Sequence, residues 1–405
     1  MSVEHSASIL SHKLYSGSVK DVYGLPGEGP YVFKFSDRYS IFDWGEMPDS
    51  FAGKGEALAV MGDLLFRHLG RADTWLEWAI PETYPKFWRD SLTSAHLWSE
   101  LRRNGLRHHS LGLVNEDMSA VPEGGRSRLL AVQALPRPAV RSEVRSGKLI
   151  WEYSEYAVRP APALVPLEVV FRFGAPEGSS FLERLENRPG YAESFGFAEK
   201  PAAGDWFPYP VVEFFTKLEP TDRFLTREEA LEIAALTPEE LDELVATSLL
   251  VALRLKDIFA STGLELWDGK FEFGFTPPAK AAGARGFQLV DSIGPDELRL
   301  VGPGGVHFSK EFLRRVYRGG SWYRAAEFAK RLAKERGVKD WKAICREELK
   351  ESPRPLPPET LKSATALYPA LADALSHQFF GRPVFGDQPT VKELCREMGQ
   401  AEGHA

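Results

Sequence analysis

The stretch "ELWDGKFEFGF", residues 265–275, constrains the fold more than any other part of the chain. Asp268, Lys270 and Glu272 stand at every second position, with Gly269, Phe271 and Phe273 between them. An extended strand sorts these side chains onto two faces, whereas a helix would scatter the charges around its circumference. The aromatic face seeks a core; the charged face meets water or a ligand. After the polar "TPPAKAAGARG" comes a second apolar run, "FQLVDSI", expected to fold back as a hairpin partner and bring Asp291 near the carboxylates. Three carboxylates around one lysine suit Mg2+, which usually bridges to substrate phosphates, while the lysine neutralises phosphate charge. As a bare pattern, the alternation equally describes a half-buried strand with a solvated face.

A chain of 405 residues is too long for one small core, and 43% hydrophobic residues can bury two or three subdomains. A net charge of −7, with both signs dispersed, argues against a dedicated nucleic-acid surface. Cys345 and Cys395 cannot supply a disulfide framework or a four-thiolate metal site, so a reducing, cytoplasmic compartment is expected. The N-terminal "MSVEHSASILSHKLY" lacks a basic region followed by an apolar run, and "LVATSLLVALRL" is too short to span a bilayer. No export and no membrane anchoring are expected.

Residues 13–70 read as short strands and turns, with "KDVYGL" and "YVFKFSD" separated by "PGEGP". Residues 137–163 mix charge with proline without a clear period and are expected to form an insertion or irregular arm. "PLEVVFRF" resumes as a strand. "TREE" at Thr226 and "TPEE" at Thr237 each offer a threonine N-cap with glutamate three residues on, and the second helix is expected to run to about Gly263. Beyond Gly320, amphipathic helices follow, interrupted by "SPRPLPP". The chain thus divides into a β-rich lobe (1–135), a larger α/β lobe (136–319) and a helical extension (320–405). Residues 322–379 are expected to be mainly helical and to lie on the larger lobe, away from any nucleotide.

Gly17 in "YSGSVKDVY" permits a tight turn that Lys20 can reach over, and Lys54 stands between glycines in "AGKGEAL". Neither is a complete phosphate motif, because G-x-G-x-x-G and G-x-x-x-x-G-K-[ST] are both absent. Taken in order with "FSDRYSIFDWGEMPDSFAGKGEAL", "VPLEVVFRFGAPEGSS", "PVVEFFTKLEPTDRFLT", "LELWDGKFEFGF", "FQLVDSIGPDELRL" and "SKEFLRRVY", however, these blocks resemble one family, the SAICAR synthetases. The resemblance covers residues 13–318, weakly over 70–165, and leaves the C-terminal helices outside.

The resemblance implies a two-lobed α+β ATP-binding fold: an N-terminal antiparallel sheet lobe, a larger α/β lobe, and here a C-terminal helical extension. It implies that ATP activates the carboxylate of the ribotide CAIR as an acyl phosphate. The amine of L-aspartate then displaces phosphate, giving SAICAR, ADP and phosphate in purine biosynthesis, with ATP and Mg2+ as cofactors. By position, it sets Gly17 and Lys20 over the ATP phosphates, Lys270 and Asp268 as catalytic residues, and Asp268, Glu272 and Asp291 as magnesium-side carboxylates. Gln133, Lys217 and Lys270 join the nucleotide contacts. Asp37, Arg38, Lys54, Arg172, Ser179, Asp222, Arg299, Lys310 and Arg314 make up the substrate set, with Arg172 and Arg299 holding the ribotide's phosphate and carboxylate.

The chain departs from the family at Ser18 and Gln133, where lysine is usual, and at Ser292, where glutamate is common. The alternative is therefore a ligase of the same fold joining an amine to a different carboxylate. A small-molecule kinase fits less well, since Leu264 and Glu272 replace the proline and glycine of the inositol polyphosphate kinase pattern. No H-R-D or D-F-G triplet occurs. His108 and His109 lack a third ligand at metal spacing and read as structural or substrate-adjacent. Trp44 and Trp267 read as core or lobe-interface aromatics.

Overall fold

Alternation along residues 28–35 divides the first lobe into two faces. Val32 joins a small outer core with Ile9, Val114 and Leu129, while Phe33 and Phe35 lie on the opposite face beneath the Lys20 ammonium. The computed structural model describes residues 9–93, 96–145, 148–278, 283–338 and 340–402. Strands β1 (Lys13–Ser16), β2 (Lys20–Leu25), β3 (Glu28–Phe35), β4 (Ser110–Val114) and β5 (Leu129–Val132) form an antiparallel sheet ordered β1-β2-β3-β5-β4.

Two expectations fail here. Residues 54–69, read as strands and turns, form helix Lys54–Leu69, entered through Gly53 in the left-handed conformation (φ 83°). Its Leu58, Met61, Leu65 and Leu69 repeat at helical spacing and are buried, a signal outweighed by the neighbouring glycines. Residues 137–163 are not irregular throughout. They contain an antiparallel hairpin, β6 (Arg141–Arg145) with β7 (Lys148–Glu152), whose exposed Val144 hides the usual inside-outside alternation.

The larger sheet consists of β8 (Ala163–Gly174), β9 (Trp206–Thr216), β10 (Phe224–Leu225), β11 (Glu265–Thr276), β12 (Gly286–Val290), β13 (Leu298–Gly302) and β14 (Val306–His307). Its order is β10-β9-β8-β11-β13-β14, with β12 beside the C-terminal half of β11. One face is apolar: Phe171 and Phe271 stack at 4.7 Å, and this face joins the main core with Leu244, Val251 and Leu255 of helix Pro238–Ser261. Each such side chain contributes about 1.5–3 kcal/mol by leaving water. Both threonine capping boxes form, at Thr226 and Thr237.

The extension departs from expectation. Helix Pro358–Phe380 lies along helix 54–69 of the first lobe, with Tyr368 stacked on Phe51 at 6.1 Å. Helix Val391–Glu402 meets the other sheet, with Cys395 so close to Gly302 that a β-carbon there would lie 2.3 Å from its sulfur. The extension therefore braces both lobes. Trp44 lies in this seam, 5.4 Å from Trp322 and 5.7 Å from Trp341. Trp267 packs against Trp206, ring centroids 4.1 Å apart and planes tilted by 37°. Among the described residues, no helix is long and apolar enough to cross a membrane.

Candidate functional site

The charged face of the larger sheet is a small lattice. Across β8 and β11, Arg172 stands opposite Asp268, Val170 opposite Lys270 and Glu168 opposite Glu272. Val170 also faces Glu213 on β9, and Asp268 faces Arg299 on β13. Paired residues share a face, so register alone collects these groups. Glu168, Val170, Arg172, Asp268, Lys270 and Arg299 line a cleft of about 710 Å3, whose walls also include Ser18, Asp222, Asp296, Glu297, Lys310 and Arg314.

Lysines dominate one end. Lys20, leaving the turn at Gly17, donates to Asp291 and lies 3.3 Å from the Ser292 hydroxyl. The turn is tight: Gly17 N–H donates to the Lys20 carbonyl at 2.9 Å, and a β-carbon at Gly17 would lie 2.7 Å from that oxygen. Lys217 donates to Glu272 and to Glu168 (3.2 Å), and Lys270 donates to the same Glu168 oxygen at 2.8 Å. Burial opposes the Lys270 charge, but Glu168 and Glu272 outweigh it and hold the ammonium above its usual range. Asp291 behaves alike: burial pushes its carboxyl up, while Lys20 and Lys217 hold it well below the carboxylate range. Asp291 also has a left-handed backbone (φ 67°), uncommon for a residue with a side chain. His109 supports it, its Nε2 lying 3.0 Å from the Asp291 carbonyl. Burial lowers the His109 imidazole to about 3, so the ring is a neutral strut, in keeping with the structural reading.

Arginines dominate the other end. Arg172 is buried, donating to Glu213, to Asp268 at 2.9 Å and to the Ser179 hydroxyl at 3.3 Å. Ser179 also caps helix Ser180–Asn187. Arg299 Nε approaches Asp268 at 3.3 Å, while its buried Nη1 has no hydrogen-bond partner.

The three-carboxylate metal site is corrected by this geometry. Four residue steps take the strand from Asp268 to Glu272, about 13 Å along β11, and the two arginines occupy Asp268. No three histidine, cysteine, aspartate or glutamate side chains gather closely enough to hold a metal among the described residues. Glu272 and Asp291 do share one end. Burial and then Asp291 push the Glu272 carboxyl upward, against the pull of Lys217. Such hard oxygen donors fit Mg2+.

Several predicted residues brace the site from behind. Asp37 accepts from Gly55 N–H at 2.9 Å at the start of helix 54–69, and Arg38 donates to the Gly17 carbonyl (3.1 Å) and Asp21 (3.0 Å). Lys54 does not open on the cleft; it is fully buried and donates to Asp296 at 2.9 Å. Lys310 lies 3.4 Å from Asp296, and Arg314 donates to Glu311 at 3.3 Å. Gln133 is exposed and lines a different cavity, of about 660 Å3, with Tyr31, Leu111 and Ala134. Sequence reasoning missed Glu168, Glu213, Asp296, Glu297 and Tyr368. The first was readable, since "PLEVVFRF" sets Glu168 and Arg172 on one strand face.

Residues 13–327 match the family model for SAICAR synthetase. A protein of Archaeoglobus fulgidus, provisionally named a phosphoribosylaminoimidazole-succinocarboxamide synthase, is 32% identical over 391 residues, 94% of this chain and 98% of that protein. The phosphoribosylaminoimidazole-succinocarboxamide synthase of Thermoplasma acidophilum is 27% identical over 308 residues, 76% of this chain and 83% of that one. In fold, the chain is similar to a solved SAICAR synthase, with a TM-score of 0.50 at 17% identity over 90% of this chain and 94% of that one.

Proposed function

The chain belongs to the SAICAR synthetase family, and from that premise we propose that its cleft joins L-aspartate to the carboxylate of CAIR at the expense of ATP, as a cytoplasmic enzyme. The activity is an ATP-dependent ligation in purine biosynthesis. The observation that carries the substrate assignment is the polarity of the sheet face: Lys270 stands between a lysine end (Lys20, Lys217) and an arginine end (Arg172, Arg299).

The lysine end receives the ATP phosphates beneath the Gly17 turn. A carboxylate oxygen of CAIR attacks the γ-phosphorus, the bond to the ADP oxygen breaks, and an acyl phosphate forms. Lys270, with its side chain 39% exposed to the cleft, neutralises charge on the transferring phosphoryl group. Arg299 holds the anionic ribotide through its unpartnered Nη1, with Arg172 fixing Asp268 behind it. The amine of L-aspartate attacks the acyl carbon, phosphate leaves, and the nitrogen's surplus proton passes to solvent. Glu272 and Asp291 would hold Mg2+, which supplies charge neutralisation at the phosphates when bound.

Purified protein given ATP, CAIR and L-aspartate is expected to release ADP and phosphate and to form SAICAR only with all three. ADP release with another carboxylate and an amine, CAIR being ignored, would overturn the substrate. Phosphate transfer to a polyol without an amine would overturn the ligase.

A further inference from the structure

Tyr368 belongs to helix 358–380, outside residues 13–327 that match the family model, yet its hydroxyl donates to Asp296 Oδ1 at 2.9 Å. Asp296 Oδ2 accepts from Lys54 at 2.9 Å and lies 3.4 Å from Lys310. The Asp296 side chain is 1% exposed, and Lys54 and Tyr368 are buried with it. Protein donors therefore hold both oxygens of a carboxylate that water hardly reaches. A phenol in such a place costs stability unless its hydroxyl is bonded, and the ring alone would already fill the space against Phe51 and Lys54.

Asp296 sits within the segment that runs from Asp291 to Arg299. Glu297 and Leu298 N–H both reach the Gly294 carbonyl, at 3.1 and 3.0 Å, and Lys270 N–H donates to the Glu297 carbonyl at 3.1 Å. The segment is a short, internally bonded unit, so holding the Asp296 carboxylate, whose side chain is 1% exposed, sets the position of both ends.

We infer that Tyr368 is a positioning residue for the ligation: its hydroxyl locks Asp296 and with it the 291–299 segment, so that the helical extension takes part in presenting Arg299 to the anionic substrate. The kinetic consequence rests on the function proposed above; the structural one does not.

Full-length Tyr368→Phe keeps the ring and removes the donor. Tyr317→Phe is the control: it loses both hydroxyl contacts at the same seam, to the Arg354 carbonyl at 2.7 Å and with the Tyr39 hydroxyl at 3.1 Å, without touching Asp296. Loss of a hydrogen bond to a charged group should raise the KM for CAIR about tenfold in Tyr368→Phe and leave the KM for ATP unchanged. Amide exchange in residues 291–299 should quicken by a similar factor, and Tyr317→Phe should do neither. Equal effects in both variants, or unchanged exchange in Tyr368→Phe, would overturn the inference. If the wild type ignores CAIR, the substrate reading falls while the exchange result still decides this one. Should Tyr368→Phe fail to fold, wild-type exchange in rising urea decides: segment 291–299 and helix 358–380 should open together, and a segment that opens while the helix stays protected would refute the lock.

Discussion

Replacing Arg172 with methionine tests whether the buried arginine end acts as one network. The guanidinium bridges Glu213 and Asp268, whose side chains are 0% and 9% exposed. Removing one partner of a buried pair typically costs about 3–5 kcal/mol, because the other charge stays buried. Glu213 keeps Arg184 and the Tyr191 hydroxyl, and Asp268 keeps Arg299, so the lower figure, about 3 kcal/mol, applies. Asp268→Asn alone should cost about 1–2 kcal/mol. The double variant should cost less than the sum by about 1 kcal/mol, since each single change already removes the 2.9 Å contact. Urea midpoints at constant slope measure these differences. The pH dependence follows from Glu213. Burial works against its charge, but Arg172 and Arg184 hold its carboxyl below the usual range. Its contribution is therefore present above the unfolded carboxylate value and is lost as pH falls through the folded one. Arg172→Met weakens that depression, so variant and wild type should converge in acid. Additive single changes, within about 0.5 kcal/mol, or a gap that stays constant into acid, would refute the network.

Lys270→Met should lower kcat by roughly a hundredfold in a protein that still folds, since Glu168 keeps Lys217; full turnover would make Lys270 an ordinary surface lysine. Glu272→Gln should raise the Mg2+ concentration needed for half-maximal ADP release, and an unchanged requirement would remove Glu272 from the metal. Glu297→Gln tests a carboxyl that burial, Asp296 and Asp291 push up to about 7. A raised folded value means stability present at low pH and lost as pH rises through about 7, so the glutamine variant should match wild type near pH 5 and exceed it near pH 8 by on the order of 2 kcal/mol. Equal stability at both pH values would contradict this.

What sequence reasoning could reach is what depends on local chain geometry. Strand alternation places Asp268, Lys270 and Glu272 on one face, and threonine and glutamate three apart make the capping boxes at Thr226 and Thr237. The same alternation misleads about convergence: it gives a shared face and says nothing of the rise that sets Asp268 far from Glu272, nor that Arg172 and Arg299 claim the former. The ties that hold the site together span long stretches of chain. Lys54 meets Asp296 across 242 residues, and Tyr368 reaches the same carboxylate from 72 residues beyond. Nothing in "AGKGEAL" or "ATALYPAL" announces that pairing. Glu213 stays hidden because a single glutamate in an apolar strand resembles a rim residue until its neighbours across the sheet are known.

The bond between Tyr368 and Asp296 also orders events during synthesis. The ribosome makes Asp296 72 residues before Tyr368, roughly 4–15 s at typical elongation rates. Through that interval the Lys54–Asp296 pair has no phenol against it, and the groove along helix 54–69 lies open. A nascent chain can thus build both sheets and still lack the contact that sets the 291–299 segment. Pausing or truncation in this stretch should leave products with an apolar groove in water, a feature that chaperones and proteases recognise. The last long helix is thereby the natural checkpoint between a chain that has collapsed and one that is ready to work.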